Sequence, residues 1–409
     1  MDPHAAPIDP ALHRLDASEV VARLRAAGHE AFFVGGCVRD RLLGRTPREY
    51  DIATDAHPAD VQRIFRHTIP VGVQFGVIIV VTRISQYEVA TFRADTAYED
   101  GRRPNGVLFV SAREDVLRRD FTINGLLEDP ASGDLCDFVG GRADLAARLI
   151  RAIGDPEARF VEDHLRALRA IRFAATLGFT IEAATFDAIR AMADRVTSVS
   201  GERLHQELSR LFSEGDACRG AVLLAESGLL ALLLPEATLR EPMELQTAFG
   251  NLATVDLVIA LALLVGLLGG EALADTLGRR LRLSRGDHGR LTFLLREAPA
   301  LDALSTRAAR LRLVREPHGG ALLAVARAWR TTRGGDLDTI AALEALSATT
   351  PPEQLHPPRW VTGEELKAMG ARPGPAFKAV LRAVEDAQLE GEVTSAEQAL
   401  ALAARLIVS

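Results

Sequence analysis

The sequence predicts an α+β region over the first 150 residues, followed by an all-α remainder. Strand-type segments, rich in β-branched and aromatic residues, are confined to that first region. From Asp155 onward they vanish, and Ala/Leu/Arg-rich helical periodicity takes over in segments of about 10–20 residues cut by Gly or Pro. At 409 residues, 48% hydrophobic and 25% charged, the chain has material for two to four domains, and disordered or fibrous classes are excluded.

In order along the chain, Ala31–Val34 reads as a strand ending at Gly35-Gly36, and Val38–Leu43 continues as a helix. Val71–Val81 reads as one long strand, Tyr87–Phe92 as an alternating one, and Leu108–Val110 as a weaker third. Asp155-Pro156 marks the hinge between the two regimes. The apolar run Leu257–Gly270 has 14 residues, short of the 18 or so that a membrane span requires, so a buried helix is expected. Pro351–Pro358 reads as a linker before a last helical unit. Met1–Pro10 combines neither a basic nor an apolar segment, so no secretory leader is expected.

Cys37, Cys136 and Cys218 are odd in number and scattered, which excludes a disulfide scaffold and a zinc knuckle and fits a reduced, cytoplasmic protein. Net charge is −7, yet between Arg279 and Arg333 thirteen arginines face four acids. That segment is either a grip for a phosphate backbone or a solvated helical face.

Four constellations carry chemistry. In Gly35-Gly36-Cys37-Val38-Arg39-Asp40 a strand runs through two glycines into a helix. Its free backbone N–H groups can hold phosphate oxygens, with Arg39 adding a fork; a plain structural turn is the alternative. In Glu49-Tyr50-Asp51, residues i and i+2 of a strand present two carboxylates on one face. Glu88, on a later strand, adds a third. Three acids on neighbouring strands could seat two Mg²⁺ ions about 3.5–4 Å apart for nucleotidyl transfer, or simply form a polar strand end. Arg118-Arg119-Asp120-Phe121-Thr122-Ile123-Asn124 suits a triphosphate or ribose, Arg to phosphate and Asp or Asn to hydroxyls; a capped helix start with a buried ion pair is the alternative.

The fourth is Arg159–Phe179, read as a helix with Arg166, Arg169 and Arg172 spaced by three and Asp163 three before Arg166. A solvated basic face is one meaning. Base selection is the other. A carboxylate accepts from an exocyclic amine while an arginine donates to a ring nitrogen or carbonyl. Cytosine and adenine both match that pair; guanine and uracil do not.

Together these motifs resemble the bacterial-type (class II) tRNA nucleotidyltransferase and poly(A) polymerase family, over most of the chain. GGCVRD is similar to its phosphate-binding turn, EYDIAT to its metal motif, and EVATFR to the strand bearing a third carboxylate. RRDFTIN resembles its ribose and phosphate motif, EDHLRALRAIRFAA its nucleobase-selecting helix, and Gly201–Leu211 the helix that braces it.

The resemblance implies a nucleotidyltransferase head with a mixed β-sheet and helices (residues 23–155, after an N-terminal extension 1–22). A helical neck (156–240), body (241–350) and tRNA-binding tail (351–409) follow. It implies Glu49, Asp51 and Glu88 as catalytic metal ligands for two Mg²⁺ ions. It also implies Gly35, Gly36, Arg39, Arg119, Asp120, Asn124, Asp163, Arg166, Arg169 and Arg172 as nucleotide contacts. The expected activity is template-independent CCA addition to the tRNA 3′ end from CTP and ATP, with neither membrane nor obligatory protein partner.

Poly(A) polymerase activity on generic RNA, the A-adding half of a split CCA system, and an inactive RNA-binding relative are the rivals. In the family the resemblance points to, CC-adding members of split systems shorten the loop between the metal and ribose motifs, and the full-length segment Ala94–Leu117 argues against that variant. Two departures stand out: Glu49 replaces the first Asp of a D-x-D motif, and Asn105 replaces a common acid.

Overall fold

A computed structural model of the chain describes residues 8–95, 107–266 and 270–408. Asn105 and part of the segment Ala94–Leu117, residues 96–106, lie outside them. The chain divides into two compact units, Met1–Pro235 and Glu236–Ser409.

The first unit opens with helix α1 (Pro10–Ala26), started by Pro10 and capped by the Asp9 carboxylate, which accepts from the N–H groups of Ala11 and Leu12. Strand β1 (Ala31–Val34) leads into α2 (Gly36–Leu42), then β2 (Asp51–Thr54) and α3 (Pro58–Ile64). Next come β3 (Thr68–Gly72), β4 (Val77–Val81), β5 (Gln86–Thr91), β6 (Arg93–Asp95), β7 (Val107–Phe109) and α4 (Ala112–Leu117). Strands β8 (Leu126–Glu128) and β9 (Leu135–Asp137), helix α5 (Gly141–Ala146) and β10 (Leu149–Ile150) follow.

Seven strands form one sheet in the order β3-β4-β5-β2-β1-β8-β9. It is mixed. β2 and β5 run parallel, Ile52 opposite Val89, and the other neighbours are antiparallel. Phe33, Ile52, Ile78, Val89 and Phe92 are almost fully buried in it. Helix α1 belongs to this body and runs through residue 22. Arg14 reaches the buried Glu128 at 2.8 Å, and Asp16 accepts from the Tyr87 hydroxyl at 2.7 Å and from Thr82 at 2.6 Å.

Where one long strand is expected over Val71–Val81, the structure has a hairpin. Gly72 closes β3, and Gly76 at φ 78° turns the chain into β4. Glu49 stops short of the sheet, because pairing begins at Asp51.

The stretch Arg159–Phe179 is two helices rather than one. α6 (Pro156–Glu162) ends at Asp163, and α7 (Leu165–Leu177) begins after it, the Asp163 carboxylate accepting from the Leu165 N–H at 3.1 Å. A short strand β11 (Thr180–Ile181) pairs with β10 beyond the expected end of strand structure. α8 (Ala183–Ala191), α9 (Gly201–Glu214), α10 (Ala217–Glu226) and α11 (Leu229–Leu233) complete the unit, with α7 packed against α9.

The second unit is helical throughout its described residues: α12 (Pro242–Gly250), α13 (Leu257–Val265), α14 (Gly270–Arg280), α15 (Arg285–Glu297), α16 (Arg307–Arg315), α17 (Gly319–Arg333), α18 (Asp338–Thr349), α19 (Pro352–Leu355), α20 (Gly363–Ala368), α21 (Pro375–Glu390) and α22 (Ala396–Val408). The apolar run is a buried helix, as expected. It ends earlier than its composition suggests, because Gly266 adopts φ 76° against Thr238 and Trp329. The expected linker contains the short helix α19, started by Pro352. Val361, Leu366, Val380, Val384, Val393 and Ala399 close a small core of their own at the end of the chain.

The basic segment changes meaning in three dimensions. Among the described residues, at least eight of its thirteen arginines sit within 4 Å of a carboxylate, many of those acids supplied from outside the segment: Arg280 with Glu236, Arg290 with Asp256, Arg327 with Glu344, Arg333 with Glu244, and Arg312 and Arg315 with Glu385. Among the described residues, no helix is long and apolar enough to cross a membrane.

Candidate active site

A cleft of about 770 Å³ opens in the first unit. All the expected site residues line it except Glu88, and nine arginines face six carboxylates across it.

Its floor is the turn between β1 and α2. Gly35 has φ 75° and ψ −127°, a backbone that strains any residue with a Cβ. The first N–H groups of the following helix have no partner within the helix, and both Gly35 and Gly36 line the cleft. Arg39, one turn on, is 9% exposed. Its Nη1 donates to Asn124 Oδ1 at 2.9 Å and its Nε to Asp40 at 2.8 Å.

Asp51 opens β2, and one register step before the Ile52–Val89 pair places it beside Glu88 on β5. Burial raises the Asp51 pKa to about 7, and the charges of Glu88 and Glu49 push in the same direction while Arg119 opposes them. Glu88 is also raised, by desolvation first and Glu49 second. Such mutual repulsion is what a divalent cation relieves. Among the described residues, no three carboxylates, histidines or cysteines converge tightly enough to hold an ion unaided.

Opposite stands a lattice of paired charges. Arg169 donates through Nε and Nη2 to Asp120 Oδ2 at 3.0 and 2.8 Å. Asp120 also accepts from Asn124 Nδ2 at 3.2 Å. Burial alone would raise the Asp120 pKa, but Arg169 and Asn124 overrule it and hold the carboxyl at about 2. Glu207 on α9 accepts from Arg172 Nε at 2.6 Å and from Arg169 Nη1 at 3.3 Å. Phe173 lies under three guanidinium groups, Arg172 at 4.0 Å, Arg39 at 5.2 Å and Arg169 at 5.4 Å from its ring centre.

Asp163 and Arg166 share the cleft wall, where the Arg166 backbone N–H donates to the Asp163 carbonyl at 2.9 Å, but their side chains are not bonded to each other. Asp163 Oδ2 accepts from Arg203 Nη2 at 2.7 Å. Arg166 donates from Nη1 to Glu162 at 2.6 Å and from Nη2 to the Arg118 carbonyl at 3.0 Å. Each is thus fixed by a third party, leaving further carboxylate lone pairs on one and the Nε–H on the other.

The sequence reading passed over Asp115, Glu162, Arg203 and Glu207, whose job is to hold the cleft arginines and Asp163. A carboxylate four residues before an arginine is a visible signal only for Glu162–Arg166 and Asp115–Arg119. It also missed Arg45 and Arg48 on the cleft wall, which lie in no motif, and Arg210, which lies in the bracing-helix motif without having been singled out.

A cleft that sets an amide-lined turn and arginines against adjacent acids is built to handle a nucleoside triphosphate, the work of a nucleotidyltransferase. Residues 31–151 match the poly A polymerase head domain and residues 178–239 the probable RNA and SrmB-binding site of polymerase A. A CCA-adding enzyme of Limosilactobacillus fermentum is 34% identical over 401 residues, 95% of this chain and 96% of its own. One from Geobacillus stearothermophilus is 43% identical over 235 residues, an alignment spanning 57% of this chain and 58% of that relative.

The crystal structure of the Bacillus stearothermophilus CCA-adding enzyme in complex with CTP superposes with a TM-score of 0.68 at 32% identity, over 99% of this chain and 98% of that one. The Thermotoga maritima CCA-adding enzyme complexed with tRNA, at 21% identity and a TM-score of 0.70 over 97% and 95%, shares the fold. The chain belongs to the family of CCA-adding enzymes. Nucleotidyltransferases of this family generally use a divalent metal.

Proposed function

We propose that the chain adds CCA to the 3′ end of tRNA, taking CTP twice and ATP once and releasing pyrophosphate each time, without a template. One observation carries the reading. Asp163 and Arg166 stand in the same cleft as the Gly35–Gly36 turn and Asp51, each immobilised by a separate partner.

A fixed carboxylate oxygen and a fixed guanidinium edge suit the amine-plus-acceptor pairing edge shared by cytosine and adenine. Guanine and uracil would set a carbonyl against the acid. The turn amides, Arg39 and Arg119 hold the triphosphate, while Asp120 and Asn124 order the arginines behind it. Asp51 and Glu88, with Glu49 beside them, suit Mg²⁺ as hard oxygen donors, the remaining positions going to phosphate oxygens and water. When bound, the cation supplies positive charge at the reacting phosphate and lowers the pKa of the attacking hydroxyl. The helical second unit, with its last small core, is the proposed tRNA-binding region, and the setting is proposed to be cytoplasmic.

The test offers the purified protein and Mg²⁺ a tRNA transcript lacking its last three nucleotides, with CTP, ATP or both, beside an unrelated RNA. Three nucleotides added to the tRNA alone, requiring both substrates, are expected. A long ladder from ATP on either RNA would make it a poly(A) polymerase.

A further inference from the structure

Beside the cleft lies a buried carboxylate that touches no expected ligand. Asp115 is 1% exposed, on a helix held at its start by reciprocal bonds between Ser111 and Glu114. Its two oxygens serve different partners. Oδ1 accepts from Arg118 Nε and Nη2 at 3.0 and 2.6 Å and from the Arg93 backbone N–H at 3.2 Å. Oδ2 accepts from Arg119 Nε and Nη2 at 3.2 and 2.9 Å.

Donors from a neighbouring strand and from Arg118 therefore fix the plane of the carboxyl. Oδ2 in turn occupies one edge of the Arg119 guanidinium, and among the described residues Nη1 is left with its two hydrogens. That nitrogen faces the phosphate-binding turn: a Cβ placed on Gly35 would lie 3.7 Å from it. An unclamped arginine would lose rotamer freedom on binding, and this one has lost it beforehand.

We propose that Asp115 is a positioning residue for the incoming nucleotide, locking Arg119 so that Nη1 stays presented over the Gly35–Gly36 turn to the triphosphate. The proposal rests on the reading of Arg119 as a phosphate contact. It makes nucleotide affinity depend on a side chain that touches neither nucleotide nor metal.

The experiment is a double-mutant cycle on the full chain, reading Mg²⁺-ATP and Mg²⁺-CTP binding by calorimetry and tRNA binding separately. Asp115→Asn and Arg119→Ala should each weaken both nucleotides about tenfold, with tRNA affinity unchanged. The double variant should bind no more than about twofold more weakly than Arg119→Ala, since the two act as one unit. Wild-type affinity in Asp115→Asn, additive losses, or equal losses of nucleotide and tRNA binding would each overturn the proposal.

Should Asp115→Asn fail to fold, Arg119→Lys replaces it. An ammonium is a point charge that cannot span the carboxylate and the turn, so it should bind nucleotide as poorly as Arg119→Ala; wild-type affinity there would overturn the proposal equally. Because binding rather than turnover is read, nucleotide binding without CCA addition would sink the functional reading and leave this one standing.

Discussion

Glu207 and Arg172 form a buried ion pair between α9 and α7, at 2.6 Å with both side chains 7% exposed. The other carboxylate oxygen reaches Arg169, so a single acid on the bracing helix sets two arginines of the nucleotide cleft. Removing one partner of such a pair strands the other's charge. Glu207→Ala should cost about 3–5 kcal/mol in denaturant unfolding. Restoring the apolar balance with Arg172→Met in the same chain should recover part of it, which a cavity effect at Glu207 alone would not allow.

Asp51 is the acid that both the sheet register and the charge environment single out. Asp51→Ala should abolish nucleotide addition, by more than about a thousandfold in kcat, with unfolding unchanged or slightly improved as repulsion among the acids is relieved. Glu49→Asp should keep activity, since Glu49 lies before the paired strand and carries the lighter load. Chelation of Mg²⁺ should silence the wild type, and added Mg²⁺ should restore it. Undiminished turnover in Asp51→Ala would remove the metal assignment.

Asp120 sets a pH window. Its folded-state pKa, about 2, lies below the ordinary value of 3.8. The folded form therefore binds that proton less readily than the unfolded form, and the pair's stabilisation is full above pH 4 and fades as pH falls toward 2. The contribution is about 2 kcal/mol. Urea midpoints at pH 6 and pH 3 should differ more in the wild type than in Asp120→Asn, and parallel curves would count against it.

The helical unit predicts a selective salt effect. Arg279, Arg285 and Arg307 are exposed and have no ion pair among the described residues, whereas Arg327 is paired with Glu344. If tRNA lies on that face, replacing any of the three by Ala should reduce the slope of log affinity against log salt by about one. Arg327→Ala should leave the slope alone.

Much of this was legible beforehand because the motifs are local. Gly35-Gly36, Arg118–Asn124 and Asp163–Arg172 each gather their chemistry within about ten residues, and one cleft receives them all. Periodicity failed where one residue overrides composition. Gly76 folds an unbroken β-type run into a hairpin, and Asp163 interrupts a run that is helical on both sides by capping the second half. Charge counting failed for another reason. Many of the arginines of residues 279–333 are paired with acids such as Glu236, Glu344 and Glu385, which lie outside the segment that was counted. The strands β8 and β9, three residues each, are too short to show a period at all.

The latch between α1 and the sheet has a consequence for the order of biosynthesis. Arg14 emerges from the ribosome 114 residues before its partner Glu128, and β1, whose Phe33 pairs with Glu128, also waits for β8. Helix α1 can coil early, but its Arg14 anchor and one neighbour of β1 arrive only when the sheet is nearly complete. Translation pauses before residue 128 would thus lengthen the exposure of a strand pair open on one edge, whereas pauses after it would find that edge of β1 already paired.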